Sequence, residues 1–189
     1  MNLHSKPAGE RLSARELCFL ALMGALIFAS KFVLASIPNV NLNTLIIILC
    51  AIFFGWKTLY AVGVYVMLEG MIFGFTLWWF SYLYTWPAVT AFVMLFRKNN
   101  SPLVWAVVAG LCGLCFGPLM YILYLTVTGW ETAVALWVAG IPYDLIHCVS
   151  NFILTLLLYR PLYTVFLHFL PQRGTVLPKK EKFGIWRTI

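Results

Sequence analysis

Charge is what this sequence has least of. Aspartate, glutamate, lysine and arginine make up 10% of its 189 residues, against 62% hydrophobic residues and a mean hydropathy of +0.90. A soluble globular domain carries about a quarter of its residues as charges, so that class is excluded and an integral membrane protein is expected. Acidic residues are scarcer still, 6 against 13 lysines and arginines, for a net charge of +7. A basic balance can mark a nucleic-acid binder, but these basic residues are not gathered into one patch among polar readers, and no nucleic-acid partner is expected. They fall between or beyond the apolar runs, where charges set membrane orientation.

Other absences narrow the chemistry. There is no GxxxxGK[ST] phosphate loop, so the chain is not expected to hydrolyse ATP itself. HExxH and GxSxG are also missing, which removes the simplest intramembrane hydrolases. The cysteines Cys18, Cys50, Cys112, Cys115 and Cys148 all sit in apolar stretches. Cys112 and Cys115 form a CxxC without a second ligand pair, so they read as small buried hydrophobes rather than a zinc, redox or disulfide framework. Neither an enzyme nor a bound cofactor is expected. Arg11 and Arg15 ahead of an apolar run imitate a signal peptide, but further apolar blocks follow, and the run reads as an uncleaved first span.

What is present is a series of apolar blocks. A span needs about 20 mainly apolar residues, and breaking at proline, glycine and charge gives spans at 16–35, 42–56, 58–75, 80–97, 103–127 and 144–168. The expected fold is all-α: six transmembrane helices in one bundle, residues 16–170, with a cytoplasmic segment 1–15 and a basic cytoplasmic tail 171–189. Lysines and arginines occupy the N-terminal segment, the 57 and 97–98 turns and the tail, whereas the connections 36–41, 75–80 and 128–143 have none. The positive-inside rule therefore puts both termini in the cytoplasm. The connection from Thr128 to Tyr143 reads as a semi-apolar segment lying along the surface or folding over the bundle. Trp78, Trp79, Tyr82, Tyr84, Trp86, Trp130 and Trp137 read first as rings at the water interface.

A few polar groups lie where apolar ones are expected. Lys31, Glu69, Asp144 and His147 fall in or at the edges of spans, and a charge at the bilayer centre costs about 2.5–3.5 kcal/mol on insertion scales. Lys31 lies 15 residues beyond Glu16, Glu69 lies 12 beyond Lys57, and Asp144 lies 16 before Arg160. At 1.5 Å per helical residue these are about 22, 18 and 24 Å from the inner side, in the outer half. Asp144, His147 and Asn151 share a helix face by their i, i+3, i+7 spacing. With Asn39, Asn41 and Asn43 in the first outer connection, and Trp79 and Tyr82 near the second, they compose an apolar cavity with a few orienting polar groups. Each has a bland reading: Lys31 can snorkel outward, Glu69 can pair with Lys31, and His147 can be a hydrogen-bonded core histidine. Ala21 and Ala25, Gly70 and Gly74, and Gly113 and Gly117 are small pairs at i,i+4, which let helices approach closely in lipid.

These features resemble the substrate-binding S components of energy-coupling factor (ECF) vitamin transporters. The resemblance runs from Ala21-Leu-Met-Gly-Ala25 through Ile37-Pro-Asn-Val-Asn41 and Phe54-Gly-Trp-Lys57 to Gly140-Ile-Pro-Tyr-Asp-Leu-Ile-His147 and Tyr159-Arg-Pro161. It implies a six-helix protein that holds a vitamin or its precursor near the outer face. It implies also that Ala21 and Ala25 contact a separate transmembrane coupling subunit, which carries two ATPase subunits, and that the S component topples in the bilayer to deliver its cargo. The location implied is a prokaryotic plasma membrane. Two other classes compete: an MreD-like structural subunit of a cell-shape assembly, which has no use for a clustered polar site, and a membrane enzyme using Glu69 or Asp144 with His147 as acid and base.

Overall fold

The computed structural model describes residues 12–34 and 40–169. Residues 1–11, Asn39 and the 171–189 tail lie outside the described residues, and so does any expectation placed on them. Among the described residues all regular structure is helical: α1 (Ala14–Val33), α2 (Asn43–Phe54), α3 (Thr58–Phe73), α4 (Leu77–Leu95), α5 (Pro102–Leu114), α6 (Phe116–Thr128) and α7 (Trp130–Phe169). A 3-10 turn at Gly55–Lys57 joins α2 to α3.

Cross-helix contacts give the direction of each pass. Lys57 of the turn pairs with Glu16, Lys31 pairs with Glu69, and a side chain at Gly24 would meet Ala61 and Val64, so α1 and α3 run parallel. Between them α2 runs the other way: Ser30 bonds Asn43 at one end, and Phe19 packs on Phe54 at the other, with ring centroids 5.4 Å apart. The apolar stretch Asn43–Phe73 therefore doubles back at Gly55, whose φ of +60° favours glycine. α4 descends from Trp79, beside Val66, to Arg97 just beyond its end, which reaches the Ile52 carbonyl. α5 and α6 rise together, and α7 returns so that Phe166 meets Phe19 and Phe53. The described residues thus run along the bundle in six passes of alternating direction, with both described ends together at the end that holds Lys57 and Arg97.

Among the described residues, four helical stretches are long and apolar enough to cross a membrane: Ala14–Val33, Asn43–Phe73, Pro102–Thr128 and Trp130–His168. The surface of the bundle is apolar as well, with Leu22, Val33, Met71, Leu95, Val127 and Leu157 all exposed. Such an exterior suits lipid and not water, and it fits a multi-pass membrane protein. Inside, α2 is the axis. All its residues but Ile52 and Phe54 are buried, and α1, α3, α4, α5 and α7 all touch it.

Two segments depart from expectation. Residues 128–143 are not a long connection: only Gly129, at φ +82°, turns the chain, and α7 starts at Trp130 and runs for 40 residues. At 1.5 Å per residue that is about 60 Å, twice the apolar core of a bilayer, and its first turns pack on α6 through Ala133. Trp130, at that end, is 72% exposed. Conversely, the expected span 103–127 is not one helix but two, broken at Cys115. Pro118 has no N–H to give and Gly117 gives its own to Asp144, so the ladder is interrupted there.

Candidate functional site

The polar residues of the bundle sort into three groups. In the first, Lys31 near the end of α1 donates to both carboxylate oxygens of Glu69 on α3, at 2.9 and 2.8 Å. Its Nζ lies 4.7 Å from the Phe73 ring centroid and 6.0 Å from that of Tyr82, a cation held against aromatic faces. The Glu69 side chain is 5% exposed and that of Lys31 37%, so the pair has one partly exposed and one buried partner. The ion pair anticipated for Glu69 is formed, and Lys31 does not turn outward to snorkel.

Beneath the pair lies a buried polar relay that the sequence flagged only in part. Ser30 donates to the Asn43 side-chain oxygen at 3.2 Å, and the Asn43 amide donates to the Tyr65 hydroxyl at 3.1 Å. Tyr65 packs on Tyr82 and Trp86, with centroids 6.1 and 5.4 Å apart. Asn43 sits here because it opens α2, and Asn41, two residues earlier, accepts from the Asn43 N–H at 3.1 Å. Asn41 is therefore a backbone-shaping residue, in the manner of an Asx turn. Tyr82 and Trp86 are buried, not placed at a water interface, and Tyr84 bonds the Leu119 carbonyl of α6 at 2.8 Å. Trp79 gives its indole N–H to the Val66 carbonyl at 2.7 Å, using its one polar handle to tie α4 to α3.

The second group is Asp144 and His147. Asp144 accepts from the Gly117 N–H at 3.1 Å, a carboxylate at the start of α6 where free N–H groups and the helix dipole favour negative charge. Gly113 and Gly117 are small because α7 lies against them: a side-chain carbon at Gly113 would come within 2.7 Å of the His147 backbone, and one at Gly117 would strike Asp144. This small pair serves packing within the bundle. His147 is buried and meets Phe116 edge-on at 5.1 Å, and its Nε2 has no hydrogen-bond partner among the described residues.

Asn151 is apart from both. It donates to the Thr44 hydroxyl at 3.1 Å and the Ala109 carbonyl at 3.3 Å, locking α7 to α2 and α5 in the core. Phe116 joins the first group to the second, touching Trp86 at 5.4 Å and Tyr82 at 6.3 Å on one side and His147 on the other. No spacing rule singles out a phenylalanine in an apolar run, so sequence reasoning missed it. Among the described residues no group of histidines, cysteines and acids can hold a metal ion. An apolar groove of about 160 Å³ between α6 and the start of α7, lined by Tyr121, Leu125, Trp130 and Trp137, lies away from the ion pair.

On the first helix, Leu20, Met23, Gly24 and Ile27 face inward, whereas Ala21 and Ala25 are half-buried beside exposed Leu22 and Leu26. The arrangement gathers an ion pair and several aromatic rings at the end of the bundle opposite Lys57 and Arg97. No family model, curated protein or solved structure matches the chain.

Proposed function

We propose that the protein is the substrate-binding S component of an ECF-type importer, which captures a vitamin or vitamin precursor and delivers it by docking on a coupling subunit with two ATPases. In this reading the six passes are six membrane spans, the Lys57 and Arg97 end and both termini are cytoplasmic, and the membrane is a prokaryotic plasma membrane. The observation that carries it is the Lys31–Glu69 pair under the rings of Phe73 and Tyr82 at the opposite end. Replacing such a pair with packed apolar groups is often neutral or stabilising, so an otherwise apolar bundle has little structural reason to keep it. A zwitterionic or aromatic ligand gives it one. Ala21 and Ala25, left half-open on α1, support the partner face.

The test is to purify the full chain from cells grown in rich medium and identify bound small molecules by mass spectrometry, together with co-purifying subunits. A vitamin-like compound and two ATPases are expected. Repeated absence of both would overturn the reading. One observation favours a structural, MreD-like subunit instead: Asp144 and Asn151 spend their hydrogen bonds inside the bundle. Recovery of cell-shape proteins in place of ATPases is the result that reading predicts.

A further inference from the structure

Phe116 stands between two buried ring nitrogens that the protein leaves without partners. Trp86 is 2% exposed and His147 4%, and among the described residues neither Trp86 Nε1 nor His147 Nε2 has a hydrogen-bond partner. The Thr85 hydroxyl, adjacent to Trp86 in sequence, is buried and unpartnered too. A buried polar group without a partner costs about 1–3 kcal/mol, and folded proteins keep few of them. Here two belong to residues in ring contact with the same phenyl group, at 5.4 and 5.1 Å.

The backbone beside this ring is broken at one point, and the two neighbouring helices each carry an internal proline. Phe116 opens α6 directly after the break at Cys115, with Gly117 and Pro118 following. Trp86 immediately precedes Pro87, inside α4, and Pro142 lies in α7 two residues before Asp144. A proline within a helix removes one ladder bond and frees a carbonyl four residues earlier. In membrane bundles, interrupted helices are tolerated where they are buried in protein or line a cavity, and they recur at ligand sites.

We propose that Phe116 is an internal plug, occupying in the free protein the place of a ligand's flat heteroaromatic ring and swinging out at the Cys115–Phe116 junction when that ring enters. The entering ring stacks against Tyr82 and Trp86. It accepts a hydrogen bond from Trp86 Nε1 and exchanges one with His147 Nε2, which a phenyl group cannot do. The ligand class is thus a planar nitrogen heterocycle with polar atoms on opposite edges, and the Lys31–Glu69 pair is free to meet a charged substituent. The inference rests on reading this end of the bundle as a capture site.

Benzimidazole, which carries an N–H and a ring nitrogen acceptor, and indene, its all-carbon counterpart, are suitable probes. Purified full-length Phe116→Ala is expected to bind benzimidazole at least tenfold more tightly than wild type does, and at least tenfold more tightly than it binds indene. Adding Trp86→Phe or His147→Phe should erase the preference. Equal binding of the two probes by Phe116→Ala overturns the proposal. A second measurement leaves the site filled: 4-fluorophenylalanine at position 116 should shift its fluorine resonance with benzimidazole and not with indene, and an unmoved resonance overturns it equally. The capture reading fails by a different result, the absence of a co-purified ligand and ATPases, so the two are separable.

Discussion

Lys31→Met and Glu69→Gln are not equivalent lesions, because the two partners are buried to different degrees. Loss of Lys31 strands a carboxylate that is 5% exposed, whereas loss of Glu69 leaves an ammonium on a side chain that is 37% exposed and long enough to turn outward. Removing one partner of a buried pair costs about 3–5 kcal/mol, and Lys31→Met should approach the lower end of that range. Glu69→Gln should cost about 1 kcal/mol, as for a partly exposed pair. Thermal unfolding in detergent, with the double variant closing the cycle, checks this; equal losses would mean the burial asymmetry has no energetic weight. At Asp144 the deciding atom is the oxygen that accepts from Gly117. Asp144→Asn retains an acceptor and should be nearly neutral for folding, while Asp144→Ala should cost about 1–3 kcal/mol, the cost of leaving a buried N–H without its acceptor. The positions of Lys31, Glu69 and Asp144 were legible in the sequence because charge in an apolar run is conspicuous. Their partners were less so: Glu69 could be matched to Lys31, but nothing in the spacing paired Asp144 with a backbone N–H 27 residues earlier.

Among the elements, the packing of α5 and α6 on α7 depends on having no side chain at Gly113. A methyl group there would sit 2.7 Å from the backbone carbonyl of His147, which cannot move aside as a flexible side chain can. Gly113→Ala should therefore destabilise by about 1–3 kcal/mol, the usual cost of overpacking, and Gly63→Ala, which meets nothing, should not. A different outcome is expected on α1. Ala21 and Ala25 are half-buried on the outer side of α1, so Ala21→Trp and Ala25→Trp should leave ligand binding in place while assembly with a coupling subunit is lost; intact assembly in a pull-down would remove that face from the proposal. Helix ends were legible to within a few residues wherever glycine or charge coincided with a real turn, as at Gly55 and Gly74. They failed at 128–143, where Gly140 and Pro142 read as breakers. Both residues are common inside membrane helices, where neighbouring groups can satisfy the freed backbone, and α7 runs through them.

At the scale of the molecule, the alternating passes of the described residues fix which turns share an end. In a cysteine-free background, Asn99→Cys should react with an impermeant maleimide only from the cytoplasmic side of sealed vesicles, and Gly74→Cys and Gly129→Cys only from the other. Labelling of all three from one side would reject the arrangement. That the chain is all-helical and apolar was legible in its runs of hydrophobic residues; the central position of α2 was not, since its apolar run looks like any lipid-facing span. That position bears on how the protein is made. At 12 residues α2 is about 18 Å long, too short to span alone, and it has almost no outward face to offer lipid. It should leave the ribosome's exit channel and enter the bilayer only as a hairpin with α3. Its remaining walls come from α4, α5 and α7, the last of them some 76 residues after α2 ends. Nascent chains halted before Trp130 should therefore hold α2 in a protease-sensitive, chaperone-dependent state, and release into a compact form should wait for the final helix.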